Sequence, residues 1–213
     1  MAFSLPISAT ASVPTPPPRQ YTPSPIPLEA LEHRRLRLED IPAMMPIESV
    51  VFGKNHWQAQ GFEQEFHNLV GRYHVLRPKH SHPYWQEAAS ATLPPVPEVL
   101  GYSGTWLLGD EAHITTLAVH PEWQGKKLGA ILLAHVIALC YDNSVHEASL
   151  EMRASNHNAE ALYTSFGFQR AGLRPKYYQD NQEDALILTT YPALPSECYR
   201  NTYWHGIQAC YLL

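Results

Sequence analysis

Three groups of residues carry types and spacings that can do chemistry. The first is the run His120-Pro-Glu-Trp-Gln-Gly-Lys-Lys-Leu-Gly-Ala130. Gly125 and Gly129 permit close backbone approach, and the unpaired first-turn amides of a following helix, with its dipole, make an anion site. Lys126 and Lys127 add positive charge, so a phosphate-bearing ligand fits this loop. An ordinary strand-to-helix turn with solvated lysines fits it too. The second group is Ser149-Leu150-Glu151-Met152-Arg153. In a strand, Glu151 shares a face with Ser149 and Arg153, and Ala148, Leu150 and Met152 take the other. A carboxylate on an interior strand can be a general base; it can equally be a surface charge or the partner of Arg153. The third is Tyr163, on a helix that Asn156 caps and Gly167 ends, with an apolar stripe at Ala159, Leu162, Tyr163 and Phe166. A phenol of pKa ~10 is protonated at neutral pH and can donate a proton, or can simply pack with its hydroxyl near the surface.

Other groups carry less. His80 and His82 lie in a Pro-containing stretch with Glu87 as the one close carboxylate, which makes a poor metal site. Cys140, Cys198 and Cys210 form no CxxC pair, which favours free thiols in a reducing compartment. A formal net charge of −5 argues against bulk electrostatic binding of nucleic acid. The longest apolar run, Leu128 to Tyr141, is broken by Gly129 and His135 and falls short of the ~18–20 residues a bilayer span needs. No membrane association is expected.

These side chains need elements to hold them. Leu36 and Leu38 alternate as in a short strand, with folded sequence expected from about Arg34. Asp40 can cap a helix carrying Ile41, Met44, Met45 and Ile47 to Val51, whose later turns Pro42 and Pro46 should weaken. Phe62, Phe66, Leu69 and Val70 predict a second helix. Strands are expected at 73–76, 99–108, 113–119, 148–153, 168–173 and 185–190, and helices from Gln124 to about Tyr141 and at 158–166. Gly109-Asp110 is a hairpin turn. Within 113–119, Ile114 falls in one alternation phase and Leu117 and Val119 in the other, the signature of a bulge or of a strand buried on both faces. Residues 77–98, rich in proline, read as a long inserted loop. The expected fold class is α/β (α+β), a mixed central sheet flanked by helices. A Pro-rich arm at 1–28 precedes the domain at 29–190, and a C-terminal extension of unassigned role occupies 191–213. The arm lacks acidic residues, so an organellar transit peptide is the alternative to a cytoplasmic protein.

Together, "EAHITTLAVHPEWQGKKLGAILL", "LEMRASNHNAEALYTSFGF" and "RPKYYQDNQEDALIL" resemble the GNAT acetyltransferase superfamily, in particular its ribosomal-protein-alanine (RimI-type) N-acetyltransferases, over roughly residues 110–189. "LRLEDIPAMMPIE" is similar to the family's start. The resemblance implies a GNAT-like sheet with the bulged strand at an acetyl-CoA site. Leu117, Ala118 and Val119 would line acetyl-CoA through backbone groups. Gln124, Gly125, Lys126, Lys127, Leu128, Gly129 and Ala130 would hold its pyrophosphate, and Asn156 would contact it further along. It makes Glu151 the base, Tyr163 the proton donor, and Tyr177 and Tyr178 acceptor-binding residues. No metal is implied. The implied partner is the N-terminal peptide of a protein, a ribosomal one in this branch; another amine, or a non-catalytic acyl-CoA-binding role, is the alternative. Two departures stand out: Lys127 replaces the inner glycine of the family loop, and "FGKNHWQ" replaces its Pro-Trp segment.

Overall fold

The computed structural model describes residues 26–90 and 95–190. The expected arm up to residue 25 and the C-terminal extension 191–213 lie outside the described residues. Packed chain starts earlier than Arg34, because Ile26 is fully buried and Ala30 beside it is as well. Strand β1 is Leu31–Arg35, not the Leu36–Leu38 stretch, which carries a single 3₁₀ turn at Leu38–Asp40.

Seven strands form one sheet in the order β1-β2-β3-β4-β5-β7-β6, where β2 is Gly71–Pro78, β3 Gly101–Leu108, β4 Glu111–Val119, β5 Glu147–Arg153, β6 Gln169–Tyr178 and β7 Glu183–Thr189. Among the described residues only the central pair, β4 with β5, is parallel; the others are antiparallel. The connection between that pair is helix α4, Leu128–Asp142, which is apolar almost all round because the sheet and its neighbours bury it. Helix α5, His157–Ser165, lies on the same face, and Leu150, Met152, Ile137, Tyr163 and Phe168 make the core between them. On the other face α1 (Ile41–Phe52) and α2 (Ala59–His67) pack through Met44, Ile47 and Phe62 against Tyr73, Tyr102 and Ala118.

Several local expectations are corrected. Helix α1 runs through Pro46, whose ring costs an interior helix about 3 kcal/mol. Full burial of Met44 and Ile47 offsets that cost, and the Ser49 hydroxyl donates to the Pro46 carbonyl at 3.2 Å. Asp40 does not cap α1 with its side chain. Its carboxylate instead takes two 2.7 Å hydrogen bonds from the Arg34 guanidinium and one from the Arg37 amide. The expected loop 77–98 contains helix α3, Pro83–Ser90, which Pro83 opens and Trp85 anchors, the indole being buried against Trp123. The helix expected from Gln124 starts only at Leu128; Pro121–Trp123 is a 3₁₀ turn.

Candidate active site

The phase slip in β4 is a bulge. Thr105 pairs with Ile114 and Gly104 with Thr116, so Thr115 is an extra residue with no opposite number on β3. Ile114 and Leu117 therefore both face α4 although they are three apart, and Ala118 turns to the α1 side beside Tyr102. The bulge has a second consequence. The parallel ladder between β4 and β5 runs from Glu111–Glu147 to Ile114–Leu150 and goes no further. Past Thr115 the two central strands part, and Leu117 to Val119 on one side and Glu151 to Arg153 on the other flank the opening.

At the far end of that opening, Gly125 (φ 77) and Lys127 (φ 61) carry the chain into α4. Lys127 sits at the helix N-cap in the left-handed conformation, where the absence of a Cβ would be an advantage. The inner glycine of the loop pattern is thus a backbone requirement that this chain meets with a lysine. A Cβ on Gly129 would lie 3.3 Å from Leu162 of α5 and within 4.0 Å of Val119 and Leu117. Gly129 is where the start of α4, the end of β4 and α5 converge. Gln124 donates to the Val119 carbonyl at 3.3 Å, and Lys126 lies over the buried Trp123 ring. Leu128 is buried and Ala130 is half-buried, so these two serve packing with their side chains and can meet a ligand only through the backbone.

Asn156 caps α5 as its type and place predict, accepting from the Ala159 amide at 3.1 Å. The helix ends in a Schellman motif: Gly167 (φ 83) donates to the Thr164 carbonyl and Phe168 to that of Tyr163. Tyr163 is thereby fixed at the third residue from the helix end. It is buried against Phe168, and burial pushes its phenol well above the ordinary tyrosine value, with the nearby Tyr178 adding to the shift.

Glu151 projects from β5 to the face that carries α1 and α2, opposite to Leu150 and Met152, as strand alternation requires. Arg153 is not its partner: that guanidinium pairs with Asp180 at 2.8 Å and Glu183 at 3.1 Å and covers the Tyr178 ring at 4.0 Å. Glu151 is held instead by His113 on β4, Nε2 to Oε2 at 3.2 Å, and by Arg174 on β6, whose Nη2 lies 3.0 Å from Oε1. Tyr178 interacts electrostatically with both Glu151 and Tyr163, which lie on opposite faces of β5. Its own phenol is pushed up to about 12, first by burial. Tyr177 beside it is exposed and lies edge-on to Tyr178 and near the Arg174 guanidinium.

His113 and Arg174 were not singled out by sequence reasoning. A signal for His113 existed: it has the parity that puts it on the Glu151 face once β4 and β5 are known to run side by side. Among the described residues, no cluster of three or more His, Cys, Asp or Glu could hold a metal ion, and no helix is long and apolar enough to cross a membrane. His80 and His82 lie beside the start of α3 and not at this opening.

A parallel central pair that splays beyond a bulge, with a glycine-bearing helix start at its mouth, is the architecture of an acyl-CoA-using transferase, and comparison with known proteins agrees. Residues 47–168 match the acetyltransferase (GNAT) family, and the chain belongs to that family. Over 155 residues, 73% of this chain and 91% of the relative, it is 36% identical to a Bacillus subtilis protein provisionally named [ribosomal protein bS18]-alanine N-acetyltransferase. It is 35% identical over 133 residues, 57% of this chain and 89% of the relative, to the Escherichia coli enzyme of that name. The crystal structure of the ribosomal-protein-S18-alanine N-acetyltransferase from Escherichia coli superposes with a TM-score of 0.63 at 28% identity, covering 78% of this chain and 97% of that one. A spermidine N-acetyltransferase from Vibrio cholerae, solved with CoA and spermine, shares the fold at 16% identity and a TM-score of 0.59, over 76% of this chain and 95% of that one. The protein is an N-acetyltransferase of the GNAT type, whose acyl donor is acetyl-CoA.

Proposed function

We propose that this enzyme acetylates the α-amino group of a protein N-terminus, the acceptor being the N-terminal alanine of a small-subunit ribosomal protein. Glu151 serves as base and Tyr163 as hydrogen donor to the departing sulfur. The observation that carries the reading is Glu151 itself: a carboxylate on the acceptor face, one residue past the point where β4 and β5 part, held by side chains from two other strands. The names of the Bacillus subtilis and Escherichia coli relatives support the choice of acceptor.

Acetyl-CoA supplies an activated acyl group, and the residues around the opening fit it. The backbone of Leu117, Ala118 and Val119 lines the side of the splay that β5 has left. Gln124 to Ala130 head α4, where the amides and helix dipole favour the pyrophosphate and Lys126 and Lys127 add charge. Asn156 caps α5 with its oxygen, so its Nδ2 is the atom to meet the ligand. The acceptor must attack as a neutral amine. An α-amino group of pKa ~7.7–8 is already ~10–20% neutral at pH 7, whereas a lysine of pKa ~10.4 is below ~0.1%. A carboxylate base, directly or through a water, suits the first and serves the second poorly. The new N–C bond forms as the C–S bond breaks, the amine proton going to Glu151. Burial keeps Tyr163 in its protonated form, the form that can donate to the developing thiolate. On β6, Tyr178 interacts electrostatically with Glu151 and Tyr177 lies edge-on to Tyr178, and an acceptor peptide would lie along these rings.

Steady-state rates of the full chain on a peptide with a free alanine N-terminus test these roles. Glu151→Gln is expected to lower kcat by about 10²–10⁴-fold. Tyr163→Phe should cause a smaller loss in kcat, with the KM for acetyl-CoA little changed. Wild-type rates in Glu151→Gln would refute the base assignment.

A further inference from the structure

We infer that His113 is a positioning residue for the transfer: it fixes the Glu151 carboxylate by Oε2 and turns Oε1 toward the acceptor amine. The inference rests on the reading of Glu151 as the base.

His113 pairs with Ser149 in the last part of the parallel ladder, two residues before the bulge at Thr115. Glu151 lies one residue beyond that ladder's end. On the side that β4 has vacated it has no cross-strand neighbour in register, so its side chain needs support from the last rigid position before the opening. His113 supplies it. The imidazole has neighbours in three directions: Nδ1 lies 3.2 Å from the Ser149 hydroxyl, Nε2 lies 3.2 Å from Glu151 Oε2, and the Trp106 ring lies tilted beside it with centroids 6.0 Å apart. Trp106 is anchored in turn, donating from Nε1 to Glu65 Oε2 of α2 at 2.8 Å. A chain of contacts thus runs from helix α2 through Trp106 and His113 to Glu151.

Both ring nitrogens are engaged, so His113 is not placed to take the amine's proton directly. Nε2 faces the carboxylate at ion-pair distance, and Nδ1 shares a hydrogen bond with the Ser149 hydroxyl, which can donate or accept. The two carboxylate oxygens are held unequally. The side chain on Oε2 is 28% exposed, whereas Arg174 on Oε1 is 52% exposed and comes from the edge strand. A cationic acceptor terminus can take the place of the Arg174 guanidinium at Oε1, one positive charge for another, without disturbing His113. The charged and titratable groups facing this pair are Glu151 from β5, Arg174 and Tyr178 from β6 and, through Trp106, Glu65 from α2.

His113→Ala, His113→Gln and Glu151→Gln in the full chain are compared with wild type for kcat, both KM values and the melting temperature. In His113→Ala, kcat is expected to fall about 10–100-fold, the range that follows from losing a donor to a charged group and loosening a reacting side chain. The KM for acetyl-CoA should stay within about twofold, on the order expected when remote binding is untouched. His113→Gln, which carries an amide donor to a similar reach, should restore most of kcat. Wild-type kcat in His113→Ala, with Glu151→Gln inactive, overturns the inference and leaves the base assignment standing. Equal losses in the alanine and glutamine variants also overturn it, since that is the pattern of a merely structural role. Full activity in Glu151→Gln would instead overturn the base assignment, and this inference with it.

Discussion

Acidification should destabilise this enzyme through a stack of three imidazoles that takes no part in the chemistry. His33 on β1 lies flat between His74 on β2 and His135 on α4, with ring centroids 5.1 Å and 3.5 Å away and interplanar angles of 12° and 5°. Burial first, and mutual repulsion second, hold His33 down to about 3 and His74 down to about 4. Arg35 and Arg72 also repel a charge on His74, and His135 is lowered by burial. A histidine whose folded pKa is depressed binds its proton more readily when unfolded. The stability it contributes is therefore complete above the unfolded value of ~6.5 and drains away as pH falls toward the folded value. At pH 5 each such histidine costs about 2 kcal/mol, so His33 and His74 together cost at most about 4 kcal/mol. Partial exposure and coupling within the stack reduce this to roughly 2–4 kcal/mol, a large part of a typical ~5–15 kcal/mol stability. Half-buried His120 acts in the same direction, whereas Glu48, whose proton affinity burial raises, acts against it. For a domain of this size the melting temperature should drop by about 5–15 °C between pH 7.5 and pH 5. His33→Phe keeps a flat ring, and among the described residues Nε2 is buried with no hydrogen-bond partner to lose. Thermal melts of wild type and His33→Phe across this range should show a shallower pH dependence in the variant. A flat wild-type curve, or equal slopes in the two proteins, would refute the reasoning.

Lys127→Gly should change stability little, because relief of about 1 kcal/mol of left-handed strain is offset by the freer unfolded chain. If its ammonium meets the pyrophosphate, acetyl-CoA affinity by calorimetry should weaken about 2–5-fold, with a shallower salt dependence; unchanged affinity would remove Lys127 from the site. Arg174→Ala should lower the KM for the acceptor peptide, since the incoming cation no longer competes for Glu151 Oε1; a raised KM would show that Arg174 binds the acceptor. Gly104→Ala would place a Cβ 2.2 Å from the Tyr73 ring, whose hydroxyl shares a 2.8 Å hydrogen bond with Thr115 at the bulge. A loss of about 1–3 kcal/mol in chemical denaturation is expected, together with weaker acetyl-CoA binding.

Much of the site was readable because its determinants are local. The face of Glu151, the cap at Asn156, the Schellman end at Gly167 and the phase slip around Thr115 all follow from alternation, capping and backbone rules that act within a few residues. What was not legible depends on partners distant in sequence. The helix expected from Ile41 runs on through Pro46, whose cost the burial of Met44 and Ile47 outweighs, whereas α3 forms in a Pro-rich stretch read as a loop because Trp85 finds Trp123. His113 and Arg174 join Glu151 only once β4 is laid beside β5 and β6 is brought in beyond β7. Lys127 was legible as a substitution, but its left-handed backbone shows why a glycine was expected there.

The most direct test of the account is the fate of the acetyl group. The purified full-length chain would be incubated with acetyl-CoA and an equimolar mixture of three acceptors. These are a peptide with a free N-terminal alanine, the same peptide blocked at its terminus but carrying a lysine, and a polyamine. Tandem mass spectrometry would then locate the label. The account predicts a single acetyl group on the alanine α-amine, lost when Glu151→Gln replaces the wild type. Acetyl on the lysine or the polyamine alone, or on no acceptor despite bound acetyl-CoA, would contradict it.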